Sequence, residues 1–229
     1  YGYVTQGIVH KEDITENGIK YIKQDGSVGY YQTVNKTTPV AGDVKYVDRN
    51  GDGVVDDNDR DIIGNPNPDF TYGFQTKVSW KSLSLSASFN GVQGRDILNV
   101  GNRYNNTPGT KSNNVTRKAF QNMWTDENPS NLYPKSTFVV QNMVMDRYVE
   151  DGSYLRCSDI TLSYVLPAKW TNKIGIKNTS VYASVKNAFV ITDYSGYDPE
   201  VNSFAFDGLR PGVDMNSYPT PRSFVFGLN

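Results

Sequence analysis

Twelve consecutive residues, Asp48-Arg-Asn-Gly-Asp-Gly-Val-Val-Asp-Asp-Asn-Asp59, have the composition of a cation-binding loop. Acidic or amide oxygens fall at positions one, three, five, nine and twelve. Gly53 occupies position six, where such a loop must turn sharply. This is the ligand spacing of an EF-hand-type calcium loop. Calcium takes six to eight oxygen ligands. Asp48, Asn50 and Asp52 can each offer a side-chain oxygen, and Val54 its backbone carbonyl. Asp56 can act directly or through a water. Asp59 replaces the usual glutamate at position twelve with a shorter arm. The competing reading is a solvated acidic turn, because Asn-Gly and Asp-Gly are ordinary turn dipeptides. Six matched positions favour calcium. No helical pattern flanks the loop, so a static clamp is expected rather than an opening and closing sensor.

Other chemistry is poorly supplied. Cys157 is the only cysteine and His10 the only histidine. That excludes an internal disulfide and a cysteine-cluster metal site. His10 sits beside Lys11 and Glu12 and reads as a surface residue. Glu150-Asp151 and Asp198 with Glu200 are the nearest candidates for a glycosidase carboxylate pair. Neighbours in sequence do not by themselves flank a bond in space, and no nucleophile–base set can be assembled. The chain is read as a non-enzyme. A net charge of −1 over 229 residues gives no sign of nucleic-acid binding.

The elements that carry the loop alternate with period two. Phe70, Tyr72, Phe74, Val78 and Trp80 share one parity, and Thr71, Gly73, Gln75, Lys77 and Ser79 the other. After a tight turn at Trp80-Lys81-Ser82, Leu83, Leu85, Ala87 and Phe89 alternate with Ser84, Ser86, Ser88 and Asn90. Ile160, Leu162, Tyr164 and Leu166 do the same, as do Val181, Ala183 and Val185, and Phe224, Phe226 and Leu228. Each run predicts a strand with one apolar and one polar face. The opening Tyr1-Gly-Tyr-Val reads as the middle of a further strand, not as a signal peptide. No apolar run approaches the ~18 residues of a membrane helix.

Such strands belong either to a soluble sheet over a core or to a membrane barrel. Runs of about ten residues match the roughly 9–11 needed to cross a bilayer. Soluble strands more often run about five or six. Aromatics near strand ends (Phe70, Tyr72, Trp80, Tyr154, Tyr164, Trp170) match the interfacial girdles of outer-membrane barrels. Connections alternate between short (80–82, and a moderate 167–178) and long (about 7–68, 93–152 and 192–218). Long extracellular loops and short periplasmic turns are the barrel pattern. A compact soluble domain should not carry three loops this long. With the 80–82 turn periplasmic, the calcium loop lies outside the cell and the last strand descends. Strands are expected at about 69–92, 153–191 and 219–229. A short helix is expected within Asn114–Trp124, ended by Asp126-Glu-Asn-Pro. The rival is a secreted, soluble, calcium-binding β-sandwich, an adhesin or carbohydrate-binding module.

Several stretches are also familiar as a series. Gly42-Asp-Val-Lys-Tyr46 leads into Asp48-Arg-Asn-Gly-Asp-Gly53 and Ile63-Gly-Asn-Pro-Asn-Pro-Asp-Phe70. Val149-Glu-Asp-Gly-Ser-Tyr-Leu-Arg156, Ile160-Thr-Leu-Ser-Tyr164, Lys186-Asn-Ala-Phe189, Gly196-Tyr-Asp-Pro-Glu200 and Tyr218-Pro-Thr-Pro-Arg-Ser-Phe224 follow in order. The series resembles the C-terminal part of the SusC/RagA family of TonB-dependent outer-membrane transporters, typical of Bacteroidetes. The resemblance implies an all-β fold, about six strands of a 22-stranded transmembrane barrel with long extracellular loops. It implies import of oligosaccharides or peptides, a SusD-like surface lipoprotein as lid, TonB acting through an N-terminal part not in this chain, and outer-membrane lipid around the wall. Six strands cannot close, so the chain is expected to be a fragment. Barrels of this type usually end in an aromatic residue. Gly227-Leu-Asn229 departs from that, and a few further residues are expected. Candidate cargo contacts are Tyr104, Asn105, Asn106, Trp124, Tyr194 and Tyr197, since sugars stack on aromatics and bond to amides. Loop packing is the blander account of each. Arg156 and Lys186 have lumen parity and could meet anionic groups, or pair with Asp159 or another wall carboxylate.

Overall fold

The computed structural model describes residues 1–107, 114–136, 143–172, 175, 179–200, 202–204 and 206–229. They divide into two compact units, each assembled from separated stretches of chain.

The first unit comprises Tyr1–Asn65, Leu98–Glu150 and Val213–Asn216. Its strands are short. Gly18–Ile22 lies between Ile14–Thr15 and Val28–Tyr31 in a three-stranded sheet. Thr5–Ile8 pairs antiparallel with Val44–Tyr46, and Thr33–Val34 pairs parallel with Val54–Val55. Alternation sends Ile19, Tyr21 and Tyr31 inward and Lys20, Ile22 and Tyr30 outward. They join Tyr3, Ile8, Val9, Tyr46, Val55, Met145 and Tyr148 in one hydrophobic core. Buried tyrosines need partners for their hydroxyls. Tyr31 accepts from the Tyr46 backbone N–H at 3.1 Å, and Tyr21 donates to the Asp48 carbonyl at 2.7 Å. That second bond seats the acidic loop on the core. The Tyr1–Val4 segment is not a strand of the long sheet. Gly2 and Tyr3 form isolated bridges to Asp61 and Met145 within this unit, and Tyr3 is core.

Two helices complete the unit, α1 (Val100–Asn106) and α2 (Arg117–Asn122). Asn99 caps α1 by accepting from the Asn102 N–H, and Thr116 caps α2 by accepting from the Ala119 N–H. The α2 helix falls inside the 114–124 window.

The second unit comprises Pro66–Ile97, Asp151–Gly212 and Ser217–Asn229. It holds five long strands: β1 (Phe70–Trp80), β2 (Leu83–Gln93), β3 (Tyr154–Val165), β4 (Ser180–Thr192) and β5 (Ser223–Leu228). They form one antiparallel sheet in the order β5-β4-β3-β2-β1. The sheet thus has five strands where six were expected. Lys81 opens the β1–β2 turn at φ 54°. Register places Val78 opposite Leu85 and Leu85 opposite Leu162, so the apolar parities of neighbouring strands meet on one face. Ser158 is an extra residue between Cys157 and Asp159. This bulge switches parity along β3, so Arg156 and Asp159 share the polar face although they are three positions apart. Asp159 accepts there from Thr161 and Ser184 hydroxyls at 2.7 and 2.8 Å.

The apolar face is bare. Phe70, Phe74, Val78, Trp80, Leu85, Phe224, Phe226 and Leu228 lie between 46 and 78 % exposed. Phe74 and Phe89 stack at 4.5 Å on this surface. No described helix is long and apolar enough to cross a membrane, which leaves strand crossing untouched.

Candidate functional site

The acidic loop is folded by its own side chains. Asp48 accepts from the backbone N–H of Gly51 at 2.6 Å and Gly53 at 2.8 Å. Asn50 accepts from Asp52, Asp52 from Val54, and Asp56 from Asn58, at 2.8–2.9 Å. Asp59 closes the circle. It takes the Arg49 and Asn50 N–H groups on one oxygen and the Asp56 N–H on the other. Gly53 holds φ 86°, and a Cβ there would run into the Gln32 side chain. Only glycine meets both demands at position six. Val54 begins the two-residue strand paired with Thr33, which fixes the loop's second half.

The electrostatics are one-sided. Asp48 is buried and Asp59 has no exposed surface. Burial pushes the Asp48 carboxyl up, the Gly53 and Gly51 N–H groups pull it down, and the Asp59 and Asp52 charges push it up again. Nearby cations face elsewhere: Arg49 pairs with Asp61, and Arg60 with Asp57. Among the described residues no three His, Cys, Asp or Glu groups converge as a finished metal cage. The donor chemistry still fits a hard cation. Every candidate ligand atom is oxygen, and a carboxylate has about four acceptor positions. Asp48 uses two of them, and the Asp52 and Asp56 carboxylates keep spare capacity.

The candidate cargo residues are divided between the two units. Tyr104, Asn105 and Asn106 lie together on α1. Asn105 accepts at its carbonyl from the Thr116 N–H, and Asn106 accepts from the Thr116 hydroxyl at 2.6 Å. The Arg103 guanidinium lies 5.2 Å from the Tyr104 ring. Trp124 is only 9 % exposed and belongs to the hydrophobic core, pressed against Gly42. It packs the unit rather than facing a solute. In the second unit Tyr194 is buried with Gly196 against its ring, whereas Tyr197 is 72 % exposed.

The site that sequence reasoning missed centres on Arg156. Its partner is not Asp159, which is occupied by hydroxyls, but Asp198, with Glu200 at 3.0 Å. Both members of the Arg156–Asp198 pair are buried. Asp198 also accepts from the backbone N–H groups of Glu200 at 2.9 Å and Thr220 at 3.0 Å. Burial alone would raise its carboxyl, but these two N–H groups and the guanidinium outweigh burial and hold it below the usual carboxylate range. A charge neutralised in this way is not poised as a general acid. Glu150 is likewise engaged, accepting from Asn99 and Asn102 at 3.0 and 2.9 Å. Parity marked Arg156 and the Gly196-Tyr-Asp-Pro-Glu200 run stood out in sequence, but nothing joined the two.

No family model matches the chain. Individual proteins do. It is 34 % identical over 198 residues to TonB-dependent receptor P26 of Formosa agariphila, covering 83 % of this chain and 20 % of that protein. It is 34 % identical over 191 residues to TonB-dependent receptor SusC of Bacteroides thetaiotaomicron, covering 80 % of this chain and 17 % of that one. The chain thus spans about a fifth of the length of the curated relatives it matches. Among solved structures it resembles the RagAB peptide importer in its open-open state, with a TM-score of 0.65 at 24 % identity. The match covers 99 % of this chain and 21 % of the other. A RagAB peptide transporter structure gives a TM-score of 0.67 at 24 % identity, covering 99 % of this chain and 22 % of its own. The likeness of fold extends over both units.

Proposed function

We propose, from the premise that this chain is a SusC/RagA-like C-terminal portion of a TonB-dependent receptor, that it supplies barrel wall and extracellular loops to an outer-membrane importer. The observation that carries the reading is the bare apolar face of the five-stranded sheet, backed by a face of serine, threonine and charged residues. In water that face would have to be covered, because exposed apolar patches beyond a few hundred Å² are rare on soluble monomers. In a bilayer it is the lipid surface, and the hydroxylated face borders a wet lumen. The secreted sandwich, whose apolar face must lie on a second sheet, fits this surface poorly.

Strand length agrees. Eleven residues of β1 at roughly 3.3 Å each reach about 36 Å, or about 25 Å of height at a tilt near 45°. That is the height of a barrel's apolar band. This portion performs no covalent step. Its relatives are named as receptors and importers, and the buried Asp198 carboxylate is neutralised by Arg156. Import energy would come through TonB, acting on the part of the receptor outside this chain. A SusD-like lipoprotein would close over the loops, and the cargo would be an oligosaccharide or a peptide. Tyr104, Asn105, Asn106 and Tyr197 remain the side chains by which this portion would touch it.

The reading extends to calcium. Asp48, Asn50, Asp52, Asp56 and Asp59 would hold it with side-chain oxygens and Val54 with its carbonyl. A bound cation would neutralise the buried carboxylates and clamp the loop. Chelation of the intact receptor should then speed proteolysis within residues 7–68, and Asp52→Asn should remove the difference. An unchanged cleavage pattern would leave the loop as a self-closed acidic turn. For the importer itself, native membranes extracted in mild detergent should yield a polypeptide several times longer than this segment, together with a lipoprotein partner. A 26-kDa species soluble without detergent would overturn the proposal.

A further inference from the structure

Residues 193–222 separate β4 from β5. The large apolar side chains of this stretch do not hold it down. Tyr197, Phe206, Leu209 and Tyr218 are among the most exposed in the protein, with Leu209 at 92 %. What is buried next to the sheet is polar or rigid, namely Asp198, Pro199 and the Tyr194 ring, and Asp214 is buried farther along. Val213–Asp214 is held by pairing with Leu98–Asn99 in the first unit, whereas the stretches next to β4 and β5 are ordered by polar contacts centred on the Asp198 carboxylate.

Asp198 joins three pieces of chain. One oxygen meets the Arg156 guanidinium of β3 and the Glu200 N–H, and the other meets the Thr220 N–H, 22 residues further on. Arg95 donates to the Pro199 carbonyl at 3.0 Å, on the same turn. Arg156 is steadied in turn by the Tyr154 ring, 5.8 Å from its guanidinium carbon, and by Glu200. Both feet of the segment are thus pinned to a single side chain of the wall.

We propose that Arg156 and Asp198 form a latch that closes the base of the 193–222 segment on β3 and so fixes the exposed Tyr197 and Tyr218 that flank it. Each feature follows from the chemistry. The pair is buried, so losing either partner strands a charge rather than freeing a surface ion pair. Asp198 accepts backbone N–H groups near both ends of the segment, so one carboxylate closes a 22-residue loop just beyond the point where β4 and β5 already pair at Lys186 and Ser223. Proline at 199 fixes φ between the two acidic residues, which keeps Asp198 and Glu200 both turned towards Arg156. The proposal rests on the barrel reading only for the functional meaning of those two aromatics. The latch itself lies within one unit.

The test is hydrogen exchange on the intact receptor in bilayers, read on fragments covering 193–222. In the unaltered protein, the Glu200 and Thr220 amides should be among the slowest in the segment. Asp198→Asn and Arg156→Met should each speed them by about a hundredfold. The double variant should be little faster than either single one, because both remove the same unit. Amides of β2 should keep their rates, and the heat-modifiable mobility of the folded barrel should persist. Fast exchange of both amides in the unaltered receptor would overturn the latch, and that measurement holds even if a variant fails to assemble. Additive effects of the two substitutions would overturn it as well. Neither readout depends on cargo uptake, so the latch and the importer reading can fail separately.

Discussion

Ala87 and Ser88 are adjacent at the middle of β2 and face opposite ways. Ala87 is paired with Thr76 and Ile160 on the apolar side, Ser88 with Gln75 and Asp159 on the polar side. From Leu83 to Ala87 is four residues, or about 9 Å of height at a tilt near 45°, which puts both close to the bilayer midplane. Replacing Ala87 by arginine should therefore cost about 2–4 kcal/mol, the penalty for a cation on the lipid face near mid-depth. That lowers the ratio of folded to unfolded receptor by a factor of roughly 30 to 1,000. Replacing Ser88 by arginine puts the same charge in the lumen opposite Asp159 and should cost under about 1 kcal/mol. Urea titration of the intact receptor in vesicles, followed by heat-modifiable mobility, measures both. Ala87→Leu is the control for size and should be neutral or mildly favourable. Equal costs for the two arginine variants, or none for either, would refute the assignment of the faces.

Gly53→Ala should cost about 1–3 kcal/mol, from a positive φ forced on a residue with a Cβ, and should speed proteolysis around the acidic loop first. Trp124→Ala should cost about 3–5 kcal/mol as a core truncation, measured by thermal unfolding, while cargo affinity per folded molecule stays unchanged. Asp198 sets a pH window. Its folded carboxyl is held below its ordinary value of 3.8, so its stabilisation is present above that value and lost as pH falls through the lower folded one. With Arg156, Glu200, Tyr154 and Arg95 around it, protease resistance of 193–222 should persist through mild acid and fail only below about pH 4.

What the sequence made legible follows from how local each signal is. A sheet with one apolar face writes itself as alternation, so β1 to β4 stand out from runs such as Leu83, Leu85, Ala87 and Phe89. The Ser158 bulge is less visible, because its cause lies in neighbouring strands. The short strands of the first unit were illegible as strands. Their two to five residues are too few to show a period, and Tyr21, Tyr31 and Tyr46 come together only through distant pairing. Trp124 looked like an exposed loop aromatic because the polar run Thr125-Asp-Glu-Asn128 follows it, whereas its neighbours in space are core. The spacing of the acidic loop was readable because its hydrogen bonds run between residues two to ten apart. Asp198 was not, since its partner Arg156 lies 42 residues away.

The division of the chain into two units also bears on the order of events during biosynthesis. The first unit is completed by Val213–Asn216, and the second resumes at Ser217. A ribosome must therefore deliver almost the whole segment before either unit has all its parts. Contacts of such long sequence separation are slow to form. In the interval, the apolar face of β1 and β2 would be exposed to solvent, with the open strand edges that invite aggregation. Neither unit can be cut out as a continuous stretch, and an insertion is best tolerated at an exposed turn such as Lys81–Ser82.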